Sequence, residues 1–144
     1  MRTAVAVVCS LAVLAGCGGG TDELMVDRPR IGATPLGADA ALYFEITSPS
    51  DDLLVGVEAD VTAVTSLHVT GGTNGTMIGI DEFELPAGVS VRFEPFGDHV
   101  MLEQVDRDLV PGDEVAVTLL FADHAPVQVT ADVSQLYDLA WEDS

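Results

Sequence analysis

Two histidines and two methionines are the residues whose types and spacing suit one particular chemistry. His68 is followed after eight residues by Met77, after twenty-one more by His99 and after one more by Met101. Thioethers are soft, neutral donors and imidazole is intermediate, so two of each without a thiolate favour Cu(I) over Zn²⁺, Ca²⁺ or Mg²⁺. The pattern therefore predicts a Cu(I) site. It does not predict a blue-copper centre, because that site also needs a Cys ligand.

The same residue types also occur for ordinary structural reasons. His99 and Met101 are two residues apart on a predicted strand, so both side chains leave the same face. Taken alone, this pair fits a metal site no better than it fits an ordinary strand. We interpret Met25 and His124 as incidental, because neither belongs to the spaced set.

The charge of the chain argues against one class of partner. The sequence also lacks the motifs of several classes of enzyme. Among 144 residues there are 24 Asp or Glu, 5 Arg and no Lys, giving a formal charge of −19 at pH 7. We expect no nucleic-acid partner, because the phosphates of a nucleic acid must be neutralised by Lys and Arg. The sequence has no GxSxG, P-loop or HExxH motif and no EF-hand spacing. We expect no enzymatic activity, and we interpret the carboxylates as a solvated surface.

The N-terminus has the features of a secretory signal. Arg2 precedes an apolar run of about a dozen residues, which is too short to span a bilayer, and small residues follow. The sequence Leu-Ala-Gly-Cys ending at Cys17 resembles the bacterial lipoprotein box, in which the Cys is lipidated. We therefore predict a signal peptide over residues 1–16 and an extracytoplasmic protein that a lipid on Cys17 anchors to the cell membrane. The other cysteine, Cys9, also lies in this segment, so the folded part has no disulfide.

The remainder is predicted to be all-β. Residues 17–38 contain Gly, Pro and mixed charges and are predicted to form a flexible tether. Residues 39–134 are predicted to form one β-domain, and residues 135–144 an acidic tail in which Tyr137 and Trp141 are candidates for docking. The predicted strands are Ala41–Thr47, Leu53–Glu58, Thr62–Thr70, Thr76–Leu85, Val89–Glu94, His99–Val105, Glu114–Phe121 and Val127–Val133. Eight short strands separated by Gly and Pro turns favour a Greek-key sandwich or small barrel.

A resemblance to a known family extends over about Ala40–Val133. The segment GDHVMLEQVDRDLVPGDEVAVTLLF resembles the periplasmic copper chaperone family PCu(A)C in its His-x-Met-Leu motif and in the strand that follows. Upstream, the segment MIGIDEFELPAGVSVRFEPFGDH is similar to the family's Met, its Pro-Ala-Gly turn and its second His. The resemblance implies a cupredoxin-like sandwich with a solvent-facing Cu(I) site formed by His68, Met77, His99 and Met101.

The resemblance also implies a partner. The sequence departs from the family pattern at two points. PCu(A)C proteins are linked to copper delivery to the copper-A centre in subunit II of cytochrome c oxidase, or to a thioredoxin-like protein that assembles it. Here Gly75 stands where the family often has a Met, and the loop from His68 to Met77 is about two residues shorter than usual. The alternative functions are copper buffering for resistance without a dedicated acceptor and a metal-free structural lipoprotein.

Overall fold

The structure, a computed structural model, describes residues 23–71 and 75–139, and in this part of the chain the secondary structure is almost entirely β. The strands are β1 (Met25–Gly32), β2 (Ala40–Thr47), β3 (Asp52–Ala59), β4 (Val64–Gly71), β5 (Thr76–Ile80), β6 (Phe83–Leu85), β7 (Ser90–Phe93), β8 (His99–Glu103), β9 (Glu114–Phe121) and β10 (Val127–Ser134). They pair in the order β5-β4-β8-β2-β1-β10-β9-β3-β6, and β7 pairs with β2. The sheet folds over one core as an open sandwich, which confirms the predicted all-β architecture.

The core is formed by strands whose side chains alternate between buried and less buried positions. On β2 the residues Leu42, Phe44 and Ile46 are buried while those between them are partly exposed, as a period of two requires. Phe93 of β7 stacks on Phe44 with the ring centroids 4.6 Å apart. Phe83 of β6 also packs on Phe93, with the ring centroids 4.9 Å apart. This aromatic group joins strands from distant parts of the sheet order.

The predicted tether over residues 17–38 is wrong for its described part. Strand β1 (Met25–Gly32) lies between β2, to which it is antiparallel, and β10, to which it is parallel. Its pairing with β2 shifts register between Asp27 and Arg30, where Pro29 lies and where Arg28 has a φ of 49°. A bulge of this kind interrupts the alternation of polar and apolar residues. The regular strand pattern that would have revealed β1 is therefore missing from the sequence.

The predicted strand Thr76–Leu85 is two strands in the structure. β5 pairs with β4 at one end of the strand order, whereas β6 pairs with β3 at the other end. The break falls at Asp81 and Glu82, which separate the two strands. The apolar residues change from even positions (Ile78 and Ile80) to odd positions (Phe83 and Leu85) across this break, a phase shift that the interpretation as one continuous strand overlooked.

The described part of the predicted acidic tail is ordered against the sheet. Residues Leu136–Asp138 form a 3-10 helix, and Leu139 after it is only 1 % exposed. The predicted signal segment, the lipidation site Cys17 and Trp141 lie outside the described residues. Within the described residues, no helix has the length and apolarity needed to cross a membrane.

Candidate metal centre

Strands β4, β5 and β8 place the four predicted ligands on one face of the sheet. His68 on β4 pairs directly with His99 on β8, and Ser66 pairs with Met101. On the other side of β4, Thr70 pairs with Met77. Directly opposed residues of antiparallel strands have side chains on the same face, and residues two apart on one strand share that face. The alternate residues Val100 and Leu102 are fully buried on the core side, so the predicted ligands lie on the outer face.

Three of the four predicted ligands line one cleft. Met77, His99 and Met101 face a cleft of about 710 Å³, whose other walls include Gly75, the loop around Phe96, and Leu136 and Leu139 near the C-terminus. His99 lies deepest, with 7 % of its surface exposed, whereas Met77 is 54 % exposed at the rim. The cleft thus combines an enclosed imidazole with an accessible thioether.

His68 is next to this cleft but is not one of its lining residues. Its ring stacks on that of His99, with centroids 5.3 Å apart and an angle of 10° between the planes. The structure therefore brings the two imidazoles together, and it places three of the four side chains in the cleft itself.

The hydrogen bond of His99 fixes which ring nitrogen can bind a metal. Its Nδ1 lies 3.0 Å from the carbonyl oxygen of Gly97. A carbonyl oxygen only accepts, so Nδ1 carries the proton and donates. The lone pair of the neutral ring is then on Nε2, which is the nitrogen that remains for a metal.

Two hydrogen bonds through Ser66 likewise determine which ring nitrogen of His68 can bind a metal. Ser66 Oγ lies 3.0 Å from Glu103 Oε1 and 2.8 Å from His68 Nε2. The carboxylate takes the one proton of the hydroxyl, so Nε2 of His68 must donate to Ser66. His68 Nδ1 is then left with a lone pair. It is buried and has no hydrogen-bond partner among the described residues.

The loop between β7 and β8 is tied to β4 by Thr70. The backbone N–H of Thr70 donates to Asp98 Oδ1 at 3.0 Å, and its hydroxyl donates to the Gly97 carbonyl at 2.9 Å. This carbonyl is the one that His99 also uses, so Thr70 helps to hold the acceptor that orients the imidazole. At the tip of the loop, Phe96 has a φ of 66° and a fully exposed side chain.

The donor set fits a soft monovalent metal. Two neutral imidazole nitrogens and two thioether sulfurs add no negative charge to the site, which suits Cu(I) better than a hard divalent ion. Within residues 23–71 and 75–139, no group of three or more His, Cys, Asp or Glu side chains is placed to hold a metal ion.

Sequence reasoning missed the residues that support the two histidines. Ser66 is two residues before His68 and Glu103 two residues after Met101, so both share the outer face with the candidate ligands. That spacing is a usable signal once the strand pairing is known. No sequence motif predicts that the Gly97 carbonyl accepts the hydrogen bond of His99, because any residue supplies a carbonyl oxygen.

His124, interpreted from the sequence as incidental, has a partner far from the cleft. Its ring bonds to the carboxylate of Asp52, which also accepts the backbone N–H groups of Leu53, Asp123 and His124 itself. Burial alone would raise the pKa of Asp52. The hydrogen bonds outweigh that effect and lower the pKa to about 2. The pair therefore closes the loop after β9 onto the start of β3.

Solved structures of PCuAC domains share this fold. The copper-bound PCuAC domain from PmoF2 superposes with a TM-score of 0.67 at 23 % identity, covering 78 % of this chain and 92 % of that domain. The Cu(I)-bound protein DR1885 from Deinococcus radiodurans superposes with a TM-score of 0.63 at 27 % identity, covering 77 % of each chain. The resemblance to PCu(A)C proteins and the cupredoxin-like fold that it implied are confirmed.

Two sequence relatives and a family model match most of the chain. An uncharacterised protein of Rickettsia prowazekii is 29 % identical over 112 residues, covering 74 % of this chain and 62 % of the relative. A protein of Leifsonia xyli subsp. xyli named "Putative lipoprotein" is 29 % identical over 116 residues, covering 78 % of this chain and 70 % of the relative. The model of the family described as "Putative lipoprotein LpqE-like" matches residues 24–133. Because that match spans most of the chain, the protein belongs to the LpqE-like family.

Proposed function

We propose that this protein binds Cu(I) outside the cytoplasm and acts as a copper chaperone without enzymatic activity. The observation that carries the proposal is the convergence of Met77, His99 and Met101 on one cleft, with His68 stacked on His99. Each imidazole keeps one nitrogen without a hydrogen-bond partner among the described residues, as a metal ligand needs. Solved relatives of the same fold carry copper, one of them as Cu(I).

Copper is the cargo in this proposal, and ligand exchange is the means of transfer. Met77 is 54 % exposed at the rim, so an incoming ligand can reach the ion from that side. A partner then replaces Met77 first and the enclosed His99 last. Neutral thioethers do not have to be reprotonated when they leave, so this exchange needs no proton at the sulfur atoms.

We further propose that the acceptor is the copper-A centre of cytochrome c oxidase, or a thioredoxin-like protein that assembles it. This step depends on the resemblance to PCu(A)C proteins. Deleting the gene tests it, because delivery predicts loss of oxidase activity at low copper. Sensitivity to excess copper with normal oxidase activity would instead indicate buffering.

The location follows from the N-terminal sequence. We propose that residues 1–16 are removed and that lipid on Cys17 holds the domain at the outer side of the cell membrane. The family and one relative carry the name lipoprotein, which supports this. Incorporation of labelled palmitate into the native chain, and its loss in Cys17→Ser, would test the anchor.

Competition for Cu(I) with a chelator of known affinity tests the site itself. Met77→Leu and Met101→Leu keep the side-chain volume while removing the sulfur. Each should lower Cu(I) affinity by at least about 100-fold, beyond the loss typical of a residue that only supports a ligand. Met25→Leu is the matched control, because Met25 is exposed to a similar extent, 57 %, and does not line the cleft. Unchanged affinity in both cleft variants would contradict the proposed site.

A further inference from the structure

One wall of the cleft comes from the C-terminal end of the described chain. Leu136 and Leu139 line the same cleft as His99 and Met101, although more than thirty residues separate the two pairs in sequence. We use the name C-terminal turn for residues 136–139. Leu139 is 1 % exposed and Leu136 is 69 % exposed, so one apolar side chain of the turn is buried and the other is accessible to solvent.

The side chain of Arg30 on β1 is hydrogen-bonded to the C-terminal turn. Arg30 pairs with Tyr43 of β2 on the outer face of the sheet, and Tyr43 also lines the cleft. The Arg30 side chain is almost completely buried, at 5 % exposure, and its Nη2 donates to the carbonyl oxygen of Leu139. A hydrogen bond from a charged donor is stronger than one between neutral groups. The end of the turn is thus fixed to β1.

Gly32 provides the space in which the turn sits. A Cβ at this position would lie 2.9 Å from Leu136 Cδ2 and 3.2 Å from Leu139 Cδ1. Both leucine side chains therefore pack directly over the Gly32 backbone. Arg30 and Gly32 are two residues apart on β1 and act on the same turn by different means, one by a hydrogen bond and one by the absence of a side chain.

We propose that the C-terminal turn is an apolar wall of the copper cleft, and that it restricts Cu(I) exchange to the side of Met77. The proposal rests on the proposed function. The side chains of Leu136 and Leu139, which line the cleft, offer no donor atoms and exclude water and competing ligands from their side. A ligand that approaches must then come from the open rim, where Met77 and Phe96 are exposed. Arg30 and Gly32 are positioning residues for this wall.

Two variants of the full-length protein disturb the wall without touching a candidate ligand. Gly32→Val fills the space under the turn and should displace Leu136 and Leu139. Leu136→Ser places a polar group on the wall, and because Leu136 is exposed this change should leave folding intact. Leu36→Ser is the matched control, since Leu36 is 63 % exposed and does not line the cleft.

Release of Cu(I) from the loaded protein to bathocuproine disulfonate, followed by stopped-flow absorbance, gives the main readout. We expect release from Gly32→Val and Leu136→Ser to be about tenfold faster than from the wild type, equivalent to about 1.4 kcal/mol, and release from Leu36→Ser to be unchanged. In the copper-free protein, Gly32→Val should shift the methyl resonance of Met101 and leave that of Met25 in place.

The outcomes separate this inference from the function on which it rests. A wild type that takes up no Cu(I) overturns the proposed function and the wall's role with it. A wild type that takes up Cu(I), with wild-type release rates in both variants, overturns the wall alone. If Gly32→Val fails to fold, the release rate of Leu136→Ser decides.

Discussion

The imidazole rings of His68 and His99 are nearly parallel, with their centroids 5.3 Å apart, on directly opposed positions of β4 and β8. The hydrogen bonds to Gly97 and Ser66 define the tautomer of each neutral ring. The strand pairing therefore sets the distance between the rings, and their hydrogen-bond partners set which nitrogens are available.

The relay from His68 through Ser66 to Glu103 should support Cu(I) binding. Ser66→Ala removes the acceptor of the His68 Nε2 proton and leaves the ring without a fixed tautomer. Loss of a residue that orients a ligand typically costs about 10- to 100-fold in metal affinity, and we expect a loss in this range. A chelator competition assay measures it, and nitrogen-15 spectra of the imidazole report the tautomer.

Thr62→Ala is a suitable control for Ser66→Ala, because it also removes a hydroxyl that bonds to Glu103, there through the backbone carbonyl. It should leave the His68 tautomer unchanged. If Ser66→Ala kept both the tautomer and the Cu(I) affinity of the wild type, the relay would have no part in the site.

The exposed aromatic at position 96 should tolerate some substitutions and not others. Phe96 has a φ of 66° and a fully exposed side chain, so the effect of a substitution depends on the backbone preference of the new residue and little on packing. Phe96→Val should destabilise the fold by about 1 kcal/mol, because β-branched residues strongly disfavour the left-handed region. Phe96→Asn should have little effect, since Asn adopts this conformation readily. Urea unfolding of both variants would measure this, and equal stabilities would refute the backbone explanation.

Strand β1 should contribute directly to stability, in contrast to the tether that the sequence suggested. Ile31 is fully buried at the centre of the sheet. Ile31→Ala should lower the free energy of unfolding by about 2–5 kcal/mol, as expected for truncating a core aliphatic residue. Urea denaturation provides the measurement, with Leu36→Ala as an exposed control. A loss as small as that of the control would mean that β1 does not hold the core together.

The parts of the site that the sequence predicted are those set by periodicity within one strand. His99 and Met101 share a face because they are two residues apart, and short apolar runs bounded by turn residues located β2, β8 and β9. The meeting of Met77 with this pair depends on the pairing of β5 with β4 and of β4 with β8. That register comes from long-range packing, which a local pattern does not contain.

The C-terminal wall was not predictable for a related reason. Leu136, Leu139 and Arg30 come from opposite ends of the domain, and they meet only because β1 and β10 are parallel neighbours. In the sequence, Arg30 is one charged residue in a polar segment and Gly32 one of 14 glycines. The roles of Arg30 and Gly32 depend on the packing of the C-terminal turn against the sheet, which a local sequence pattern does not contain.

The Asp52 carboxyl group should make the stability of the fold depend on acid. Its pKa is lowered from 3.8 to about 2 in the folded protein, where burial alone would raise it but the His124 ring and three backbone N–H groups stabilise the carboxylate. A carboxyl with a depressed folded pKa contributes stability that is fully present above its unfolded pKa and is lost as pH falls through the folded value. We therefore expect this contribution to be constant above about pH 5 and to decline between about pH 4 and pH 2.

Asp52→Asn should be less stable than the wild type at pH 7 and should lose part of the acid dependence. Asp51→Asn is the control, because Asp51 is exposed and accepts only the N–H of Ala87 among the hydrogen bonds described. Thermal unfolding of the three proteins from pH 2 to pH 7 measures the difference. A gap between wild type and Asp52→Asn that stays the same at every pH would show that the carboxylate charge is not the source of the stability.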